Sequence, residues 1–416
     1  MFFTAGLPFN LARNPYYMSA FTYAANHNLT GYIPLGYNKL RIVQIQQEKE
    51  NIETLMQPIK NTWREKGVTI VSDGWSDPQR RPLINFMATS GCGPILIKSV
   101  NCFGEVKDKH FIADLKKQVI DEVGAMNVVQ IITDNAPNCK GAGEIIESRF
   151  PWIYWTPCVV HTLNLALKNI CAPKNLDSNQ ETYDECHWIT EVHMRTLFRR
   201  FKLIRRALET MVVREEWTSY REDDQGKARF VKEKVTSDAL WEKVEYIVAF
   251  TGPIYDMIRI CDTDKPTLHL VYEMWDTMIE KVKLEIILMK ACNMINNLTS
   301  MKFYSDMWLH EDPDRVSSHS DAEIYEGRIK CFRKLFPDPQ DFKQAMEEFG
   351  MFSFKSGPYT GGENLHCRST MDPILWWASF GSSTPIIHVL ALRVLGQPTS
   401  SSCCKRNWST YNLFIY

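Results

Sequence analysis

Between residues 68 and 170, three short β-branched runs come first and helices then alternate with single strands, an order that few folds accommodate. Val68-Thr-Ile-Val-Ser-Asp73, Leu83-Ile-Asn-Phe-Met-Ala-Thr89 and Pro94-Ile-Leu-Ile-Lys-Ser-Val100 read as strands. The turn residues of Trp75-Ser-Asp-Pro-Gln-Arg-Arg-Pro82 and of Gly91-Cys-Gly93 separate them, so the three predict an antiparallel meander. Lys109 to Val123 reads as a helix with Phe111, Leu115, Val119 and Ile120 on one side. Val128-Val-Gln-Ile-Ile-Thr-Asp134 is almost unbroken in hydrophobicity, as a buried parallel strand is. A helix from Asn138 to Phe150, a brief strand Trp152-Ile-Tyr-Trp155 and a helix from His161 to Ile170 complete the pattern.

This order predicts an α/β fold: a mixed five-stranded sheet with helices on its faces, the ribonuclease H-like arrangement. In that arrangement the first and fourth strands lie side by side. Both end here in an aspartate, Asp73 and Asp134. Two carboxylates converging from neighbouring strand ends can hold a divalent metal for phosphodiester chemistry. The plainer alternative is strand-end capping. Asp77 is expected to serve the turn.

Around this core the chain divides into an N-terminal helical segment (residues 1–65), the sheet region (66–175), an all-helical insertion (176–345) and a C-terminal unit (346–416). Helices are expected in the insertion at Glu191–Arg214, Ala239–Arg259, Leu268–Ala291 and Asp321–Phe336, with a linker at residues 311–321. Residues 351–370 read as a loop, and helices are expected to begin at Asp372 and Ser383. Arg195, Arg199, Arg200, Lys202, Arg205 and Arg206, interleaved with Leu197, Phe198, Phe201, Leu203 and Ile204, form a basic amphipathic helix. Such a helix can grip backbone phosphates without reading bases. The alternative is a solvated face paired with acids such as Glu209.

Composition narrows the partners. At 44% hydrophobic and 23% charged, the chain is no collagen, coiled coil or disordered protein. Its 48 basic and 49 acidic residues leave a net charge of −1, so nucleic-acid binding needs a local patch. No apolar run reaches the roughly 18–20 residues of a bilayer span, and the first residues lack a signal-peptide pattern. The expected location is the nucleus or cytoplasm, with no secretion and no membrane partner. Twelve cysteines occur without a C-x-x-C pair, which suggests reduced thiols. Cys158-Val-Val-His161 has the spacing of half a zinc site, but no second pair follows at finger spacing and no zinc is expected.

Several motifs carry a resemblance. Ser72-Asp-Gly-Trp-Ser-Asp77, Leu83-Ile-Asn-Phe86, Ile132-Thr-Asp-Asn-Ala136 and Trp155-Thr-Pro-Cys-Val-Val-His-Thr-Leu-Asn164 resemble hAT-superfamily transposases, in particular the plant branch described as a domain of unknown function. Asp372-Pro-Ile-Leu-Trp-Trp377, Ser383-Thr-Pro385 and Arg406-Asn-Trp-Ser409 resemble the hAT C-terminal dimerisation region. The resemblance implies a ribonuclease H-like catalytic domain split by a helical insertion. It implies two aspartates and a glutamate holding two divalent ions, with Asp73 and Asp134 matching the aspartates. Cys158 and His161 match a C-x-x-H element beside the active site, where a structural or substrate-facing role is expected. It also implies self-association, with Trp376, Trp377, Leu390 and Trp408 as candidate dimerisation residues, or else core residues.

The third acid is missing. Relatives read Cys-Glu-Arg-Asn-Trp-Ser where this chain has Cys404-Lys-Arg-Asn-Trp-Ser409, so Lys405 takes the glutamate's place. A Lys⁺ about 4 Å from a dication is repelled by about 8 kcal/mol at an effective dielectric near 20. The expectation is a transposase-derived protein without catalysis, with Mg²⁺ or Mn²⁺ held weakly if at all and no small-molecule substrate. Its expected partners are a second copy, a related hAT chain, or DNA contacted weakly. The alternative is an active metal-dependent nuclease in which Glu144 or Glu147 replaces the missing acid.

Overall fold

The computed structural model describes residues 9–77, 79–170, 194–219, 225–285, 322–368 and 370–407. The expected linker at 311–321 and Trp408 lie outside these residues. Two compact units divide the chain, Met1–Asn61 and Thr62–Tyr416. The first holds α1 (Pro15–Asn26), capped by Asn14 accepting from the Tyr16 N–H at 2.9 Å, and α2 (Ile45–Asn61). Neither helix has a buried residue.

The second unit opens with α3 (Trp63–Lys66) and the five strands β1 (Val68–Ser76), β2 (Pro82–Ser90), β3 (Gly93–Asn101), β4 (Val128–Thr133) and β5 (Tyr154–Pro157). Gly67 joins α3 to β1 at φ +69°, where a Cβ would lie 2.5 Å from Val129. The sheet order is β3-β2-β1-β4-β5. β1–β2 and β2–β3 are antiparallel, whereas β1–β4 and β4–β5 are parallel. The adjacency of the first and fourth strands is therefore as expected. β1 continues past Asp73 because Gly74, Trp75 and Ser76 pair with Ile84, Leu83 and Pro82. The turn begins only at Asp77, whose carboxylate accepts from the Arg81 backbone at 2.8 Å and from its guanidinium at 2.6 Å. Burial alone would raise the Asp77 pKa; Arg81 outweighs it and holds the carboxyl below its ordinary range. β5 starts two residues later than expected, because residues 151 and 152 form a turn.

Helices α4 (Lys109–Val123) and α5 (Pro137–Arg149) cover one face, burying Leu115, Val119, Ile120 and Ile146 against Ile70, Phe86 and Ile131. α6 (Val159–Ile170) starts the layer on the other face. The insertion supplies α7 (Met194–Val213), α8 (Glu215–Ser219), α9 (Gln225–Val235), α10 (Asp238–Cys261), α11 (Val271–Glu285) and α12 (Ala322–Leu335). The C-terminal region adds α13 (Pro339–Ser353), α14 (Gly362–Arg368), α15 (Pro373–Phe380) and α16 (Pro385–Leu395), and residues 402–407 form α17. One continuous apolar cluster joins Val71, Met87 and Ile132 of the sheet to α6, α10, α11, α12, α13, α15 and α16. A smaller one, Val212, Val235, Trp241 and Val244, holds α7, α9 and α10 together.

Residues 351–370 are not the loop their glycines suggested. Asn364 donates to the Pro358 carbonyl at 2.9 Å and its own carbonyl accepts from the Trp376 indole at 2.9 Å, which fixes α14 in place. The Arg368 guanidinium lies 3.8 Å from the Phe352 ring centre. Tertiary packing overrides weak local propensity here.

Candidate functional site at the sheet end

Parallel pairing of Val71 with Ile132 sets the geometry. Two residues further along both strands stand Asp73 and Asp134, whose side chains therefore leave the same face of the sheet. Asp73 is buried and Asp134 half-buried. Asp134 accepts from the Ala136 N–H at 3.3 Å. Asn85 stands opposite Asp73 on β2, and its side-chain amide nitrogen is buried without a partner.

A polar segment of the C-terminal region runs along this face toward the aspartates. Every residue from Gly396 to Cys404 is buried. Polar residues of β1 and β4 receive it, and one of β5 braces them. Thr69 of β1 donates to Gln397 at 2.6 Å, Gln130 of β4 donates to the Pro398 carbonyl at 2.9 Å, and Thr156 of β5 donates to Gln130 at 3.0 Å. Further along, the Val159 N–H donates to the Thr399 carbonyl at 3.0 Å and the Ser401 N–H to the Cys158 sulfur at 3.3 Å. The Cys404 thiol donates to the Val71 carbonyl at 3.4 Å. The sequence reading missed this row, although Thr69 between Val68 and Ile70, and Gln130 between Val129 and Ile131, were its signal.

The segment delivers Lys405 to His161. The lysine Nζ lies 2.8 Å from His161 Nε2, and Ser401 Oγ lies 3.5 Å from His161 Nδ1. An ammonium can only donate, so Nε2 is the acceptor and the ring proton sits on Nδ1, toward Ser401. Burial first, and then the charge of Lys405, hold the His161 pKa below its ordinary value; Asp73, Asp134 and Asp262 act in the opposite sense. Burial pushes the Cys158 thiol up, so it is a protonated thiol at neutral pH. On the other side of Asp134 lies Lys116 of α4, fully buried, its ammonium pushed down to about 8 by burial against the pull of Cys139 and Asp134. Burial, and then Asp134, drive the neighbouring Cys139 thiol up to about 12.

Comparison with known families adds the decisive observation. A model described as a domain of unknown function (DUF659) matches residues 36–195, and one described as the hAT family C-terminal dimerisation region matches residues 342–414. The chain is an hAT-family transposase-like protein. No curated protein matches it. Among the described residues of this hAT protein no helix is long and apolar enough to cross a membrane.

The metal chemistry implied by the hAT resemblance meets a poor donor set. Among the described residues no three His, Cys, Asp or Glu side chains come together as a metal site. Asp73 and Asp134 offer carboxylate oxygens, but the side chain that the C-terminal segment brings is a lysine. These residues do not fit a two-ion centre. The alternative acids do not repair it: Glu144 is exposed, and Glu147 is held by Lys334 at 2.7 Å and by the Trp155 N–H at 3.2 Å.

The remaining expected residues of the hAT chain follow the second of the two readings given for them. In the basic helix α7, Lys202 pairs with Glu245 at 3.4 Å, and Arg205 with Glu209 at 2.8 Å and Asp238 at 3.0 Å. Arg205 also lies 5.1 Å from the Trp241 ring centre. Arg206 is exposed, and the side chains of Arg195, Arg199 and Arg200 lie outside the described residues. Trp376, Trp377 and Leu390, expected either on a dimerisation face or in the core, are buried in the chain's own core, where both tryptophans pack with Phe352 and Tyr359. The exposed apolar residues of α15 and α16 are Leu375 and Val389.

Proposed function

We propose that this hAT protein is transposase-derived, no longer cuts DNA and acts through self-association. Lys405 carries the reading: it stands on His161, at the sheet end of Asp73 and Asp134, where the family resemblance calls for a third acid. The strand order, with β1 and β4 adjacent and parallel, supports a ribonuclease H-like origin of the core. Stabilising both the attacking and the leaving oxygen of a phosphodiester takes two ions, and two aspartates beside a lysine lack the ligands for the second. Mg²⁺ or Mn²⁺ is held weakly at most, and zinc has no role. The match to the dimerisation region supports association with a second copy or a related hAT chain. DNA contact is confined to the part of α7 that includes Arg206; it is weak, salt-sensitive and directed at phosphates. The protein acts in the nucleus or cytoplasm, and the motifs favour the plant branch.

The test is incubation of the full purified chain with supercoiled plasmid in Mg²⁺ or Mn²⁺. No nicking above the buffer control is expected. Nicking that disappears in Asp73→Asn would overturn the proposal.

A further inference from the structure

Helix α16 is apolar on every side. From Pro385 to Leu392 it reads Pro-Ile-Ile-His-Val-Leu-Ala-Leu, without a charged residue. Its inward side, Ile387, Leu390, Ala391, Val394 and Leu395, is buried in the chain's core. Its outward side carries Ile386, Val389 and Leu392, of which Val389 is half exposed and the other two are partly buried. A helix that is hydrophobic all round belongs in an interior. A polar residue at 389 would suit water without disturbing the core, so the outward stripe calls for a cover of its own.

The helix is fixed at both ends. The buried carboxylate of Glu348 on α13 accepts from the N–H groups of Ile386 and Ile387 at 2.9 and 3.0 Å, which anchors the first turn. At the other end the Arg393 guanidinium donates to the Arg64 and Met126 carbonyls at 3.4 and 2.9 Å. A surface held in this way loses little entropy when it is covered. The outward residues also have a symmetry: Ile386 and Leu392 stand three residues before and after Val389, which lies next to the helix midpoint. A second copy laid antiparallel across Val389 brings Ile386 onto the partner's Leu392 and Leu392 onto the partner's Ile386. That is the self-complementarity of a two-fold contact.

We propose that the outward stripe of α16, Ile386, Val389 and Leu392, is the two-fold contact through which two copies of this chain associate. The whole helix lies within residues 342–414, which match the hAT C-terminal dimerisation region, and that match points to a second copy as the cover. The inference rests on the proposed self-association and gives it a surface. Trp376 and Trp377 belong to the core cluster that α16 also joins, so they support the helix from within while the contact itself is aliphatic.

The experiment is sedimentation equilibrium of the full chain, unmodified and as Val389→Glu, across the micromolar range, with near-ultraviolet circular dichroism to check the fold. The unmodified chain is expected to dimerise. Val389→Glu sets two like charges against each other on the axis without a counter-charge, and is expected to raise the dissociation constant roughly hundredfold or more. A dimer as tight in Val389→Glu as in the unmodified chain would overturn this inference and leave self-association to another surface. An unmodified chain that stays monomeric throughout would refute the proposed self-association, and the inference with it. If Val389→Glu does not fold, Val389→Cys carries the comparison, with Leu203→Cys at an exposed position of α7 as the control. Under a mild thiol oxidant a disulfide-linked pair is expected from Val389→Cys and not from Leu203→Cys; no excess over the control would overturn the proposal.

Discussion

The segment Gly396–Cys404 and the helix α7 are both polar stretches interleaved with apolar residues, yet the fold treats them in opposite ways. The segment is buried throughout and bonded to β1 and β4 of the sheet. α7 keeps its charges at the surface, where Lys202 reaches Glu245 with both side chains about half exposed. Buried hydrogen bonds are costly to break, about 1–3 kcal/mol for each group left without a partner. Exposed ion pairs contribute about 0–1 kcal/mol. Density of charge along the chain therefore says little about which segment matters. The weight falls on the modest Gln-Pro-Thr-Ser run, which positions Lys405 on His161.

The strongest way to break the contrast is at Gly67. A Cβ there would meet Val129 at 2.5 Å, the Arg393 carbonyl at 3.1 Å and Gln397 at 3.2 Å, and the φ of +69° strains any other residue. Gly67→Ala is expected to cost about 3 kcal/mol or more in denaturant unfolding, combining backbone strain with the clash.

A comparable effect comes from pH. His269 is buried beside the C-terminal region, its ring N–H donating to the Leu395 carbonyl, and burial depresses its pKa from 6.5 to about 4. The unfolded chain takes up the proton first as pH falls, so the full stability present above 6.5 drains away between 6.5 and 4. A depression of that size corresponds to about 3 kcal/mol. Urea midpoints measured across that range are expected to fall for the unmodified chain and to fall less for His269→Gln. The smallest effect belongs to α7: Lys202→Ala is expected to shift stability by less than about 1 kcal/mol, and less still in high salt. A larger loss would mean that the helix surface is as firmly built in as the buried segment.

Much of the core was legible because its signals are local. Unbroken hydrophobicity marked β4, and turn residues marked the meander, so the order of strands followed. The strand boundaries slipped where pairing decides them, at Gly74–Ser76 and at Tyr154. The site was legible in part: Asp73 and Asp134 announce themselves as strand-end acids, but Lys116 does not. The amphipathic reading of α4 chose one buried side, whereas α5 covers a second, and only packing reveals that Lys116 lies beneath it. Trp376 and Trp377 mark an apolar surface in sequence without saying whether it turns inward. Their rings turn inward, because Phe352 and Tyr359 come from a stretch that looked like a loop.

The position of Lys405 on His161 is measured most directly by ¹⁵N NMR of histidine-labelled full-length protein. At neutral pH the His161 ring is expected to carry its proton on Nδ1 and to titrate below the ordinary histidine value. Replacing Lys405 with methionine removes both the donor at Nε2 and the repelling charge, so the His161 pKa is expected to rise. A ring protonated at Nε2, with a pKa indifferent to Lys405→Met, would contradict the placement of the lysine on His161.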